Sequence, residues 1–230
     1  MVEMPTESEP VRVVQGDCLD VLPLDVGEPV YVVTDPPYGV TYQSNRTVGR
    51  GVKPITNDGT RHSLRLYRRV IPLLRAEHVL WFTRWDAWPD VWELLGQHYP
   101  IRGLLVWDKG TPGMGDLKHW GPSYELIASA GEGQTSGSRD GSVLRFNTVS
   151  GHGRHHPTQK PVELLAYLIE KIVPPGGLVL DPFLGSGATA IACAQTGRRC
   201  VGIESDPAYA DIARRRVREA MGTGLLAGVG

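Results

Sequence analysis

Three short runs of the chain are apolar at every position and stop abruptly in turn residues. They are Tyr31-Val-Val before Thr34-Asp-Pro-Pro-Tyr-Gly, Val79-Leu-Trp-Phe before Thr83-Arg, and Leu178-Val-Leu before Asp181-Pro-Phe-Leu-Gly-Ser-Gly. A strand with one wet face alternates polar and apolar residues, whereas a strand covered on both faces is apolar throughout. Val11 to Val14, Leu104 to Trp107, Leu126 to Ala130 and Cys200 to Ile203 are further strand candidates. Between them lie helical patterns at His62 to Leu74, Ala87 to His98, Pro161 to Ile172, Ala188 to Thr196 and Pro207 to Ala220. Pro161 and Pro207 suit first helical turns, and Gly197 suits a helix stop. This alternation predicts an open α/β sheet, mostly parallel, with helices on both faces and ligands at the carboxyl ends of the strands.

The chain has 230 residues, 41% hydrophobic and 21% charged, which fits one large domain and excludes a collagen-like repeat or a coiled coil. No apolar run approaches the ~20 residues of a membrane span. Met1 to Pro10 carries acids and prolines rather than a secretory pattern, and Cys18, Cys193 and Cys200 are too scattered for a disulfide framework. The expected compartment is the cytoplasm. A net charge of −1 excludes a uniformly basic surface, but Gln43 to Arg75 holds eight Lys/Arg against the single acid Asp58. That run reads either as a solvated helix face or as a phosphate-contacting surface, with Arg46, Arg50 and Lys53 the candidates for phosphate contact. Gln43 to Thr60 and Gly131 to His156 are long loops, the second with one apolar patch, Val143 to Phe146. His152, His155 and His156 have no cysteine beside them, so no metal is expected. Arg214 to Arg216 with Arg218 is assigned to a solvated helix face, and the tail after Met221 is expected to be disordered.

Two motifs carry chemistry. Gly185, Gly187 and Ala190 form a Gly-x-Gly-x-x-Ala turn between a strand and a helix, and Glu204 ends the next strand. Such a unit binds either a dinucleotide or S-adenosylmethionine, since both present a ribose to the carboxylate. Asp181 and Phe183 flank the turn and favour the sulfonium cofactor, because an acid and an aromatic face suit a cation. The second motif is Asp35-Pro36-Pro37-Tyr38. Two prolines fix φ twice, and Pro36 forces Asp35 towards extended backbone, giving a rigid tip at a strand end. An exocyclic amine is a poor nucleophile. The Asp35 carboxylate and the Pro36 carbonyl can accept its N–H groups and stabilise the charge that develops as a methyl arrives, while Tyr38 offers a face for an extruded base.

Asp35-Pro-Pro-Tyr38, His156-Pro-Thr-Gln-Lys-Pro161 and Asp181-Pro-Phe-Leu-Gly-Ser-Gly187, in that order, resemble the β class of amino-methylating DNA methyltransferases from Val11 to about Arg218. The resemblance implies a Rossmann-like methyltransferase fold with a seven-stranded sheet, its last strand antiparallel, and S-adenosyl-L-methionine as cofactor. It implies double-stranded DNA as substrate, no membrane partner, and a homodimer or a companion restriction nuclease as further partners. It places Asp17 and Cys18 at the cofactor adenine, Thr158 and Lys160 at its methionine end, and Asp181, Phe183, Gly185, Ser186, Gly187, Glu204 and Asp206 around the rest. Asp17 as a mere cap of the following turn is the alternative for that residue. Trp107-Asp-Lys109 resembles a strand end near the target-base pocket. One domain is expected, with a catalytic half at 11–130, a short target-recognition loop at 131–156 and a cofactor half at 157–220. That loop is shorter than the family's usual recognition region. Asp at the head of the tetrapeptide favours adenine N6 as target; cytosine N4 is the alternative. A nicotinamide-dependent oxidoreductase, a non-catalytic DNA-binding relic, and RNA or protein as substrate are more distant readings.

Overall fold

A computed structural model describes residues 2–38, 60–111, 120–121, 123–149 and 159–227, the side chains of 60–62 and 223–227 excepted. The predicted strands all form: β1 (Val11–Gln15), β2 (Val30–Thr34), β3 (His78–Thr83), β4 (Ile101–Asp108), β5 (Tyr124–Gly131), β7 (Leu178–Asp181) and β8 (Arg199–Glu204). An eighth, β6 (Val143–Arg145), arises from the apolar patch of the second long loop. The sheet order is β1-β8-β7-β2-β3-β5-β4-β6. Among the described residues, β5 alone runs against its neighbours. The expected seven strands with an antiparallel last one are therefore corrected to eight, with the antiparallel strand fifth in the chain. The extra strand forms because Leu144 buries its side chain and Trp107 Nε1 donates to the Phe146 carbonyl at 2.8 Å, stitching the patch to the edge of β4.

Helices cover both faces. α1 (Cys18–Val21), α2 (Thr60–Val70) and α3 (Trp88–Gly96) lie on one side; α4 (Val162–Ile172), α5 (Ala188–Gln195) and α6 (Pro207–Ala227) lie on the other. Successive strand residues feed opposite cores. Val79 and Trp81 join the first, Leu80 and Phe82 the second, which is why these strands read as unbroken apolar runs. Pro161 turns out to be the N-cap of α4, outside its first turn, whereas Pro207 opens α6. Gly197, at φ +68°, stops the chain just past α5. The expected disordered tail is corrected in part, since α6 continues to Ala227. Two glycines cost a helix only about 1 kcal/mol each relative to alanine, and the Leu225-Leu-Ala run favours continuation.

β2 and β3 are parallel, so the segment joining them starts at the carboxyl end of β2 and returns to the amino end of β3. Arg68, beside Gln97 and His98, and Arg75, just before β3, therefore lie at the end opposite to Asp35. The second loop starts where β5 finishes, also at that opposite end. There Ser136 N donates to the Lys171 carbonyl at 2.7 Å, and Asp140 pairs with Lys171 at 2.5 Å on the last turn of α4. The first part of the expected recognition loop 131–156 is thus docked at the end of the sheet opposite to Asp35, and β6 then leads the chain back.

Candidate active site

Four adjacent parallel strands, β1, β8, β7 and β2, each deliver an acid at or just past the carboxyl end: Asp17, Glu204, Asp181 and Asp35. Glu204 organises the glycine turn. Its Oε2 accepts from Gly185 N and its Oε1 from Asp206 N, both at 2.8 Å, and burial pushes its carboxyl up. Each oxygen keeps a further lone pair for a ribose hydroxyl. Gly185 has φ +56°, and a Cβ there would meet nothing within 4 Å, so the turn borders open space on the ligand side. Gly187 differs: at φ +88° a Cβ would approach the Ala213 side chain to 2.9 Å, because α6 packs directly on it. Arg216 Nη1 donates to the Ser186 carbonyl at 2.5 Å and to its Oγ at 3.1 Å, tying the turn to α6. The assignment of Arg214 to Arg216 with Arg218 to a solvated face is corrected for Arg214 and Arg216, which are half-buried and donate to the Val13 and Ser186 carbonyls, while Arg215 and Arg218 are exposed.

Asp181 is turned inward. It is 2% exposed, and its Oδ1 accepts from Thr34 Oγ1 at 2.7 Å and Phe183 N at 3.1 Å. Burial raises it to about 6 despite these bonds. It binds the end of β2 to the glycine turn. Phe183 stands edge-on to Trp81 with centroids 6.3 Å apart. Asp17 caps α1, accepting from Leu19 N at 2.9 Å, and Cys18 is buried behind it. Asp206 caps α6 through Ala208 N at 2.7 Å.

At the tip after β2, Pro36 is buried and the Pro37 carbonyl accepts from Tyr67 Oη at 2.5 Å, so α2 braces the two prolines. Tyr38 Oη donates to Asp35 Oδ1. Lys160, 4% exposed, donates to Asp35 Oδ2 at 2.5 Å and to Glu125 Oε2 at 3.0 Å. Lys109 holds the other Glu125 oxygen at 2.7 Å. Two carboxylates and two ammoniums thus balance within one partly buried cluster. Burial raises the Asp35 carboxyl, opposed by the Lys160 ammonium. Burial would lower Lys160, but Asp35 and Glu125 outweigh it and raise the group, keeping it an ammonium.

The structure therefore brings Asp35, Tyr38 and Lys160 into contact, and Gly185 with Glu204 into a second group joined to the first through Asp181 and Thr34. Thr158, Arg46, Arg50 and Lys53, with the three loop histidines, lie outside the described residues. Sequence reasoning missed Glu125, Thr34, Tyr67 and Arg216. Glu125 did carry a signal, an acid directly before the apolar run Leu126-Ile-Ala.

The residues present fit S-adenosylmethionine. The acids Asp17, Glu204 and Asp35 suit a sulfonium and an ammonium and would repel a pyrophosphate, and the open face at Gly185 leaves room for a ligand beside the Glu204 carboxylate; Asp181, turned inward, does not face the ligand as the sequence suggested. Fold and site together define a methyltransferase that uses S-adenosyl-L-methionine. The chain belongs to the N6/N4 family of DNA methylases, whose family model matches residues 75–215. YubD of Escherichia coli K12, provisionally named a methylase, is 33% identical over 199 residues, covering 84% of each chain. Two solved structures share the fold. The M1.HpyAVI complex with S-adenosylmethionine has a TM-score of 0.69 at 22% identity, over 90% of this chain and 98% of that one. The PvuII DNA methyltransferase, described as cytosine-N4-specific, has a TM-score of 0.68 at 12% identity, over 93% and 92%. The substrate is DNA, the nicotinamide reading falls, and a family that takes in both N6 and N4 enzymes leaves the target base to be argued. None of the described helices is long and apolar enough to cross a membrane.

Proposed function

We propose that this protein is a single-domain enzyme that methylates the exocyclic amine of a base swung out of duplex DNA, and that the base is adenine. The observation that carries the reading is the Asp35 carboxylate, fixed at the end of β2 by two prolines and set one strand away from the glycine turn. Asp35 accepts an N–H of the target amine, which turns the nitrogen lone pair away from the ring and towards the methyl donor. The cofactor supplies an electrophilic methyl group. As a new N–C bond would form and the sulfonium S–CH3 bond break, positive charge would develop on the nitrogen, and the half-buried Asp35 carboxylate would stabilise it until the surplus N–H proton leaves. Tyr38 Oη fixes the rotamer of Asp35, and the aromatic rings of Tyr38 and Phe82 wall the space beside it. Glu204 and Gly185 hold the ribose end, and Asp181 keeps the two groups in register.

Adenine rests on Asp at the head of the tetrapeptide, where cytosine-N4 members more often begin with Ser. The likeness to the PvuII enzyme favours cytosine as the second reading, and Asp35 could accept either amine. Incubating the protein with duplex DNA and S-adenosylmethionine, then identifying the modified nucleoside by mass spectrometry, tests both. N6-methyladenine is expected. N4-methylcytosine would overturn the choice of base, and no transfer would overturn the assignment of turnover.

A further inference from the structure

Lys160 occupies a position that this chemistry reserves for the base. Its Nζ donates to Asp35 Oδ2 and lies 5.3 Å from the ring centroid of Tyr38 and 5.2 Å from that of Phe82. A nitrogen donor on the Asp35 carboxylate, flanked by aromatic rings, is also the arrangement a docked base amine would adopt. Both Asp35 oxygens are engaged before any substrate arrives, one by Lys160 and one by Tyr38.

We propose, resting on the reading above, that Lys160 stands in for the target amine in the resting protein, and that Glu125 is the positioning residue that takes the ammonium over when the base enters. A buried ammonium released from its carboxylate with no other partner is strongly disfavoured. Glu125 removes that obstacle, because Lys160 already bonds its Oε2 at 3.0 Å and need give up only one of two carboxylates. The receiving group is held still, its Oε1 clamped by Lys109 at 2.7 Å. It is also kept anionic. Burial raises the Glu125 carboxyl, but the Lys160 and Lys109 ammoniums more than reverse this and hold it below its ordinary range. Tyr38 Oη, 3.4 Å from Glu125 Oε2, spans the same two carboxylates from the other side. The strand pairing makes this possible: β5 lies beside β3, antiparallel, so that its first residues reach the end of the sheet where β2 places Asp35.

The test compares four full-length proteins in single-turnover methylation of a duplex that the parent modifies: parent, Glu125→Gln, Lys160→Met and the double variant. In Glu125→Gln, Lys160 keeps Asp35 as its one carboxylate and competes with the amine. The rate constant should fall at least tenfold, while the DNA concentration for half-maximal rate and the calorimetric affinity for S-adenosylmethionine change less than threefold. The double variant removes the competitor and should run at least threefold faster than Glu125→Gln. Without cofactor, Lys160→Met should bind the duplex at least as tightly as the parent. A double variant as slow as Glu125→Gln, or Glu125→Gln at the parental rate, would overturn the proposal. Should Glu125→Gln not fold, the double variant is compared with Lys160→Met. The two should agree within threefold, since Glu125 then has no ammonium to receive, and a tenfold gap would overturn the proposal. A parent that methylates no DNA overturns the underlying reading and this one with it; an active parent without rescue overturns this one alone.

Discussion

Asp35, half-buried, and Asp181, buried, are acids at neighbouring strand ends, yet their partners separate their roles. Asp35 meets an ammonium and a phenol at the edge of the open site, whereas Asp181 meets a threonine hydroxyl and a backbone N–H below it. Asp35→Ala should slow single-turnover methylation by at least ~100-fold, the typical effect of removing one preorganised electrostatic group, with cofactor affinity retained. Tyr38→Phe follows from the same geometry. As a stacking face alone the residue would tolerate the change, but the bond to Asp35 makes a roughly tenfold rate loss the expectation, as for one charge-assisted hydrogen bond. Asp181 acts on stability instead. Its carboxyl rises from 3.8 to about 6 in the folded protein, so the folded state binds the proton more tightly than the unfolded chain. The stabilisation is full below the unfolded value and is lost as pH rises through about 6, by about 3 kcal/mol in order of magnitude. Thermal melts of the parent and Asp181→Asn between pH 4 and 7.5 should diverge, the parent losing ground as pH rises. Parallel profiles would show that Asp181 stays ionised throughout.

At the scale of elements, the glycine turn between β7 and α5 separates ligand space from packing. Both glycines have positive φ, which costs an ordinary residue roughly 1–2 kcal/mol. Gly185→Ala adds only that strain to folding, but its methyl enters the open space beside Glu204, so cofactor affinity should fall while the melting temperature drops modestly. Gly187→Ala adds a collision with Ala213 and should cost the larger share in stability. Calorimetry and thermal melts on both variants give the comparison, and equal effects would contradict it. Glu204→Ala should weaken S-adenosylmethionine roughly 10- to 100-fold by the worth of charged hydrogen bonds. The turn, the strand and the acid were all legible in the sequence, because the spacing of glycines is a backbone requirement. The inward orientation of Asp181 and the grip of Arg216 were not, since each depends on an element far away in the chain.

Over the whole molecule, the described part of the basic run that ends at Arg75 lies away from the site, so the run is not expected to act as one patch. Because the β2–β3 connection crosses the sheet from end to end, its later residues lie away from Asp35. Replacing Arg46, Arg50 and Lys53 together should weaken binding to all duplexes alike and flatten the salt dependence by about 0.9 for each phosphate no longer neutralised. Replacing Arg68, Arg69 and Arg75 should leave the slope unchanged. Fluorescence anisotropy over a salt series reads both, and equal slopes would mean that the two ends contribute alike.

The sequence by itself determined the layers, most of the strands, the two turns that carry chemistry and their order. These follow from local rules: apolar runs need cover, prolines fix φ, and glycines allow turns that other residues resist. Only the tertiary structure decided how those parts meet. Strand β5 inserts antiparallel between β3 and β4, and this alone brings Glu125 to Lys160, just before α4, and both to Asp35 at the end of β2. No local pattern announces such a cluster, because it arises from charges in a partly buried site, Lys160 and Asp35 among them, that lie as many as 125 residues apart and meet at one end of one sheet.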